Sequence, residues 1–196
     1  MPMPRRSMDL MFATDPAWVD VIIENFDRFL CDHANCERKA SALALSMVVK
    51  YPDRISIIRP LISIAQEELA HFRSVYELME TRGLQILADS QDPYVQQLVA
   101  VARHGREQRF LDRMLISSLI ECRGAERFRL ISQRLEDPLL KRFYRDLGAS
   151  EAKHGHLFVE LALKYFLPSI VYPRLAELAT NEAHIIRQLQ WRPALH

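Results

Sequence analysis

One pattern of charged residues occurs twice in this chain. Glu37 is followed 31 residues later by Glu68 and His71, in the order Glu-x-x-His; Glu121 is followed 30 residues later by Glu151 and His154, in the same order. All six residues fall on apolar stripes with spacings of 3 and 4, the signature of the inward face of a packed helix. The first stripe reads Ile23, Phe26, Leu30, His33, Glu37, Ala40, Ala44, Met47 and the second Leu61, Ile64, Glu68, His71, Val75, Met79. The third reads Met114, Ser118, Glu121, Ala125, Phe128 and the fourth Leu140, Tyr144, Leu147, Glu151, His154, Phe158, Leu161. A chain with carboxylates in the middle of four greasy stripes must bring them to something that neutralises them.

An unpaired buried carboxylate costs several kcal/mol, and four of them repel one another. A cation removes that penalty most directly. Four carboxylates and two imidazoles form a hard, oxygen-rich donor set that suits iron or manganese better than a thiolate zinc site, and four negative charges balance two divalent ions. A single Glu-x-x-His on a helix is weak evidence, because most such pairs lie on surfaces. Two of them, each about 30 residues after an inward glutamate, match the carboxylate-bridged two-metal arrangement of helical bundles. The candidate ligands are Glu37, Glu68, His71, Glu121, Glu151 and His154.

The connections between the helices set the topology. "TDPAW" is a helix start, with Asp15 placed to cap and Pro16 in the first turn. The helical pattern runs to about Lys50 and breaks at "YPDR"; a second helix runs from about Asp53 to Arg82, with Pro60 inside it and Gly83 as its stop. Residues 83–105 are less regular, with a short helix opening at Pro93. Long helices follow from about Arg106 to Leu135 and from Pro138 to about Phe166, and "VYPRLAELATNEAHIIRQLQW" forms a fifth. The tight junctions make two antiparallel hairpins, and the 83–105 stretch is a long crossover between them. That connectivity is ferritin-like: an all-α four-helix bundle of two hairpins, with extra short and C-terminal helices, as one domain spanning 1–196.

Composition agrees. Apolar residues make up 49% of the 196 residues, and only 5 are glycine. No apolar run approaches a membrane span, and "MPMPRRSMDLMF" lacks a signal core, so a cytoplasmic protein is expected. The three cysteines, Cys31, Cys36 and Cys122, form no CxxC pair. They read as packing residues in a reducing compartment. Charge is divided: residues 1–102 carry a balance of −4 and residues 103–196 a balance of +5. Arg103, Arg106, Arg109 and Arg113 recur at steps of 3 and 4, and Lys141, Arg142 and Arg145 add to the same half. They read either as phosphate contacts for a polyanion or as a solvated face with Glu107 and Asp112 as partners. Trp191 and Tyr94 are candidate stacking platforms for unpaired bases.

Other polar residues near the pattern take supporting roles. Glu126 lies well off the Glu121 helical angle and reads as an outer carboxylate or a flexible ligand. Glu67 faces away from Glu68 and reads either as acceptor of the free ring N–H of a liganding histidine, His154 above all, or as a surface acid. His33, one turn from Glu37, reads as a hydrogen-bonded core histidine.

Ligands and connectivity leave the reaction open: ferritins store iron, rubrerythrins and manganese catalases act on peroxide, and other relatives hydroxylate lipids, quinones or further substrates. A narrower resemblance comes from whole words. "ERKASALALSMVVKYPDR", "QEELAHFRSVYELMETRG", "LIECRGAERFRLIS" and "FYRDLGASEAKHGHLFVELA" resemble, in matching order, the tRNA 2-methylthio-N(6)-isopentenyladenosine hydroxylases. The likeness runs from about Glu37 to His184, with Cys122 and Gly124 as small departures. It implies a di-iron monooxygenase whose partner is the tRNA anticodon stem-loop. Such an enzyme hydroxylates the prenyl group of the modified adenosine beside the anticodon. It consumes dioxygen and two electrons from an external donor of ferredoxin or flavoprotein type. The family's iron ligands carry over to Glu37, Glu68, His71, Glu121, Glu151 and His154.

Overall fold

The computed structural model describes residues 10–88 and 90–196, so most of the N-terminal stretch read for a signal core lies outside the described residues. Among them are seven α-helices and no strand: α1 (Trp18–Glu24), α2 (Phe26–Lys50), α3 (Ile55–Thr81), α4 (Pro93–Ala100), α5 (Arg106–Arg134), α6 (Pro138–Leu163) and α7 (Pro168–Gln188). None is long and apolar enough to cross a membrane. The chain divides into two compact units. One comprises Ala17–Ser90 with Trp191–Leu195, and the other Gln91–Gln190 with the N-terminal segment to Pro16 and with His196.

In the first unit the core is the α2/α3 hairpin. The single helix expected from Pro16 to Lys50 is broken at Asn25, which adopts φ −128° and ψ 38°. Its side-chain amide donates to the Val21 carbonyl at 3.1 Å, the local competition that makes asparagine a poor helix interior residue. The first regular turn of α1 begins at Trp18, after Ala17. Pro60 lies inside α3 without ending it. The stop falls at Gly83 (φ +67°). Its N–H bonds to the Glu80 carbonyl, and that of Leu84 to the Met79 carbonyl, each at 3.0 Å. This 6→1 and 5→2 pair needs a left-handed residue, which glycine adopts without a Cβ penalty.

Beyond that turn the chain runs back alongside α2. The Cys31 thiol donates to the Gln85 carbonyl at 3.6 Å, the Asn35 amide to Leu87 at 3.2 Å and the Lys39 ammonium to Ser90 at 3.4 Å. Residues 31, 35 and 39 share one helix face, so α2 itself fastens the first part of the crossover.

In the second unit α5 and α6 form the hairpin, and α4 and α7 pack against it. Asp92 and Asp137 cap α4 and α6 as Asp-Pro starts do, accepting from Tyr94 and Val95 and from Leu139 and Leu140. The last helix begins at Pro168, earlier than the sequence pattern indicates, since proline suits a first turn. Two glycines set the hairpin's closeness. A Cβ on Gly155 would lie 2.8 Å from Cys122 Sγ and 3.3 Å from the Ser118 carbonyl oxygen; one on Gly148 would lie 3.3 Å from the Ala125 oxygen. They stand seven residues apart, on the same face of α6.

Candidate metal centre

Each hairpin gathers two glutamates and a histidine. In α2/α3, one ligand atom from each of Glu37, Glu68 and His71 lies within 4.8 Å of the other two. His71 Nδ1 is 3.4 Å from Glu68 Oε2 and 3.6 Å from Glu37 Oε2. Glu37 and Glu68 are buried, and His71 is partly exposed. In α5/α6, Glu121, Glu151 and His154 meet the same 4.8 Å criterion, with His154 Nδ1 3.6 Å from Glu151 Oε2. Glu151 and His154 are buried, and Glu121 is half-buried.

Helix geometry explains the convergence. A Glu and a His three residues apart stand on one face, one turn apart, so each pair points the same way into its hairpin. The antiparallel partner helix then supplies the third donor. Register is pinned in both cases by a buried serine hydroxyl donating to a backbone carbonyl on the other helix at 2.7 Å: Ser41 to Ala65 in one, Ser118 to Gly155 in the other. Carboxylates this close repel unless a cation or protons intervene. Oxygen and imidazole donors are what iron and manganese take. The donor set therefore fits a metal.

His33 is a buried core histidine: its Nε2 lies 2.6 Å from Glu37 Oε1, and its ring stacks on Phe29 at 5.6 Å. The Cys36 thiol donates to Asp32 at 3.7 Å, and a Cβ on Gly155 would press on Cys122 Sγ. Burial is the largest influence raising the Cys31 thiol pKa, with Asp27 and Asp32 adding to it.

Several expectations are corrected. Glu126 is held elsewhere: it accepts from the Thr14 backbone N–H at 3.0 Å, from the Thr14 hydroxyl at 2.7 Å and from Arg123. Glu67 is exposed. Tyr94 is buried, its hydroxyl donating to Glu182 at 3.1 Å and its ring stacked on His196 at 5.0 Å, so it offers no platform to a base. Trp191 is exposed. Arg103 spends its guanidinium on Asp112, with contacts of 2.7 to 3.2 Å. Asp112, read above as a surface partner, is buried and also receives Arg174 at 2.8 and 2.9 Å. Burial raises the Asp112 pKa, but the hydrogen bonds from Arg103 and Arg174 outweigh it and hold the carboxyl at about 2. Arg106, Arg109, Lys141, Arg142 and Arg145 are exposed and Arg113 is half-buried.

Sequence reasoning missed the buried network behind Glu121. Arg123 stands about 200° around α5 from Glu121. All five guanidinium N–H groups of Arg123 are used: on Glu182 at 2.8 and 3.0 Å, on Thr14 Oγ1 at 3.0 Å, on the Phe12 carbonyl at 2.8 Å and on Glu126. Burial disfavours the charged form of Arg123, but Glu182 more than compensates and the net pKa rises. Its neighbour Arg127 is driven the other way, to about 10, by burial and then by Arg123. The Arg123/Arg127 pair at i, i+4, opposite the ligand stripe, was the one available signal.

A family model described as tRNA-(MS[2]IO[6]A)-hydroxylase (MiaE) matches residues 2–196. The chain belongs to this family. A tRNA 2-(methylsulfanyl)-N(6)-isopentenyladenosine(37) hydroxylase of Pseudomonas putida is 34% identical over 152 residues, 78% of this chain and 74% of its own length. A hydroxylase of the same name from Salmonella typhimurium is 24% identical over 186 residues, covering 71% of this chain and 68% of its own. Among solved structures, a protein from Synechococcus with aldehyde deformylating oxygenase activity superposes with a TM-score of 0.91, at 33% identity over 96% of both chains. The fold class is all-α and ferritin-like, and the chain is a member of a hydroxylase family.

Proposed function

We propose that this protein hydroxylates the isopentenyl group of 2-methylthio-N(6)-isopentenyladenosine beside the tRNA anticodon, with two irons held by Glu37, Glu68, His71, Glu121, Glu151 and His154. One observation carries the reading: each hairpin of a chain in this family gathers two glutamates and a histidine within 4.8 Å. Residues 1–196 then act as one catalytic domain in the cytoplasm. The overall conversion takes R–H, dioxygen, two electrons and two protons to R–OH and water, so an external donor of ferredoxin or flavoprotein type is required. Bound iron supplies the reductive activation of dioxygen that attack on a C–H bond demands.

The protein's residues do the rest. The carboxylates would neutralise the cations and fix their positions, and the two imidazoles would complete the donor set. Apolar neighbours on the same stripes, Ile64 and Val75 in one hairpin and Leu147 and Phe158 in the other, are buried. They keep water from the reacting carbon, which protects reactive species from side reactions. Exposed Arg106, Arg109, Lys141, Arg142 and Arg145, with Arg113, meet the tRNA phosphates; Arg103 is excluded by its bond to Asp112. Binding then weakens steeply with salt, and Trp191 offers a base-stacking surface.

Nucleoside mass spectrometry tests the reading. In tRNA from a strain lacking the gene, the hydroxylated nucleoside disappears and its unhydroxylated precursor accumulates; the gene restores it. An unchanged nucleoside profile refutes the proposal.

A further inference from the structure

Four glutamates are assigned above as metal ligands, and they differ in what stands one helical turn before them. The residue four positions earlier is His33 for Glu37, Ile64 for Glu68, Ser117 for Glu121 and Leu147 for Glu151. Glu37 alone has an imidazole there. The His33 side chain is wholly buried, and its Nε2 lies 2.6 Å from Glu37 Oε1. An ionised carboxylate accepts only, so Nε2–H donates. The ring is itself fixed, stacked on Phe29 at 5.6 Å and 24°. Phe29, His33 and Glu37 thus form a ladder at i, i+4 and i+8 along α2. The other oxygen of Glu37, Oε2, lies 3.6 Å from His71 Nδ1 on α3. The two oxygens therefore do different work: one is committed to His33, and the other is presented to the donors of α3.

We infer that His33 is a positioning residue: by holding Glu37 Oε1 it fixes the rotamer in which Oε2 faces His71 Nδ1, so that the α2/α3 half of the metal centre is preorganised. A glutamate has three rotatable side-chain bonds and loses freedom when it ligates; a partner that restricts it in advance reduces that loss on binding. Outer partners of this kind typically change metal affinity by about 10–100-fold when removed. The inference rests on the reading of Glu37 as a ligand, and the test separates the two.

The test uses the full chain, stripped of metal by chelation and titrated anaerobically with Fe(II) and, for its visible spectrum, with Co(II). His33→Phe keeps the ring stack and deletes the donor; His33→Gln returns an N–H donor. Affinity for at least one of the two metals should fall about 10–100-fold in His33→Phe, with the Co(II) spectrum altered. His33→Gln should recover part of the loss, and the apo protein should stay folded in both variants, its melting temperature lowered only as the deletion of one buried hydrogen bond requires. In a Glu37→Gln background, His33→Phe should add nothing, because its action runs through Glu37. Wild-type binding and spectrum in His33→Phe, alongside weakened binding in Glu37→Gln, would overturn the role of His33 and leave the ligand reading standing. Wild-type binding in Glu37→Gln would overturn both. Should His33→Phe fail to fold, His33→Gln and His33→Asn decide the matter. Metal binding kept in part by His33→Gln and lost in His33→Asn supports the role of the donor, whereas wild-type binding in His33→Asn, or equal loss in both, overturns it.

Discussion

In the α2/α3 hairpin, support for the donors comes from within: His33, on the same helix as Glu37, holds one carboxylate oxygen, and the side chains of α2 fasten the segment that follows α3. In the α5/α6 hairpin it comes from behind. Arg123, on the face of α5 opposite Glu121, is gripped by Glu182 of α7 and by the backbone and hydroxyl of residues 12 and 14. Gly155 lets α6 approach α5 where the second histidine stands. The donors share type and spacing, whereas the means of holding them do not. Placement of a Glu/Glu/His set therefore depends on helix period and hairpin register, and the rest of each hairpin is free to solve its packing differently.

That contrast can be tested. The largest effect should come from the clamp behind α5. Arg123→Leu leaves Glu182 buried without its ionic partner, and breaking one side of a buried pair costs about 3–5 kcal/mol; urea denaturation of the apo protein measures it. A loss below about 1 kcal/mol would remove the clamp from the account. Next come the two glycines that serve different ends. Gly155→Ala should cost about 1–3 kcal/mol through overpacking on Cys122, and Cys122→Ala should restore part of it. Gly83→Ala meets nothing within 4 Å, so its cost of about 1–2 kcal/mol is conformational alone, and no neighbouring substitution should rescue it. Smaller and equal effects are expected where the hairpins agree: Ser41→Ala and Ser118→Ala each delete one buried hydrogen bond, about 1 kcal/mol apiece.

Acid should act on the α5/α6 unit through Asp112. Its carboxyl sits at about 2 in the folded protein, against about 3.9 in an unfolded chain. A depressed folded value stabilises above the unfolded one, so the contribution is complete above about pH 4 and is lost as pH falls toward 2. The melting-temperature gap between wild type and Asp112→Asn should accordingly narrow across that window. A gap that stays constant would show that Asp112 carries no such linkage.

Much of this was legible in the sequence because it is periodic or local. The helix period carried the stripes, Asp-Pro pairs marked the starts of α4 and α6, and Gly83 marked the end of α3. The Glu-x-x-His spacing carried the donors for the same reason. What stayed hidden is non-local. Arg123 and Glu182 are 59 residues apart, and Asp112 and Arg174 are 62 apart; nothing in a local window distinguishes such charges from surface ones. Glu126 and Tyr94 were misplaced on the same account, since Thr14, Glu182 and His196, which also hold them, are distant in sequence. Asn25 was overlooked because one side-chain bond to Val21 decides it within an otherwise helical pattern.

The central claim is that both hairpins contribute ligands to a two-metal centre, and iron content per chain tests it most directly. Wild-type protein reconstituted anaerobically should hold two irons per chain. Glu68→Ala with His71→Ala in one hairpin, or Glu151→Ala with His154→Ala in the other, should each lower that content, with the apo protein's melting temperature preserved or raised because buried charge has been removed. Two irons per chain in either double variant would contradict the account.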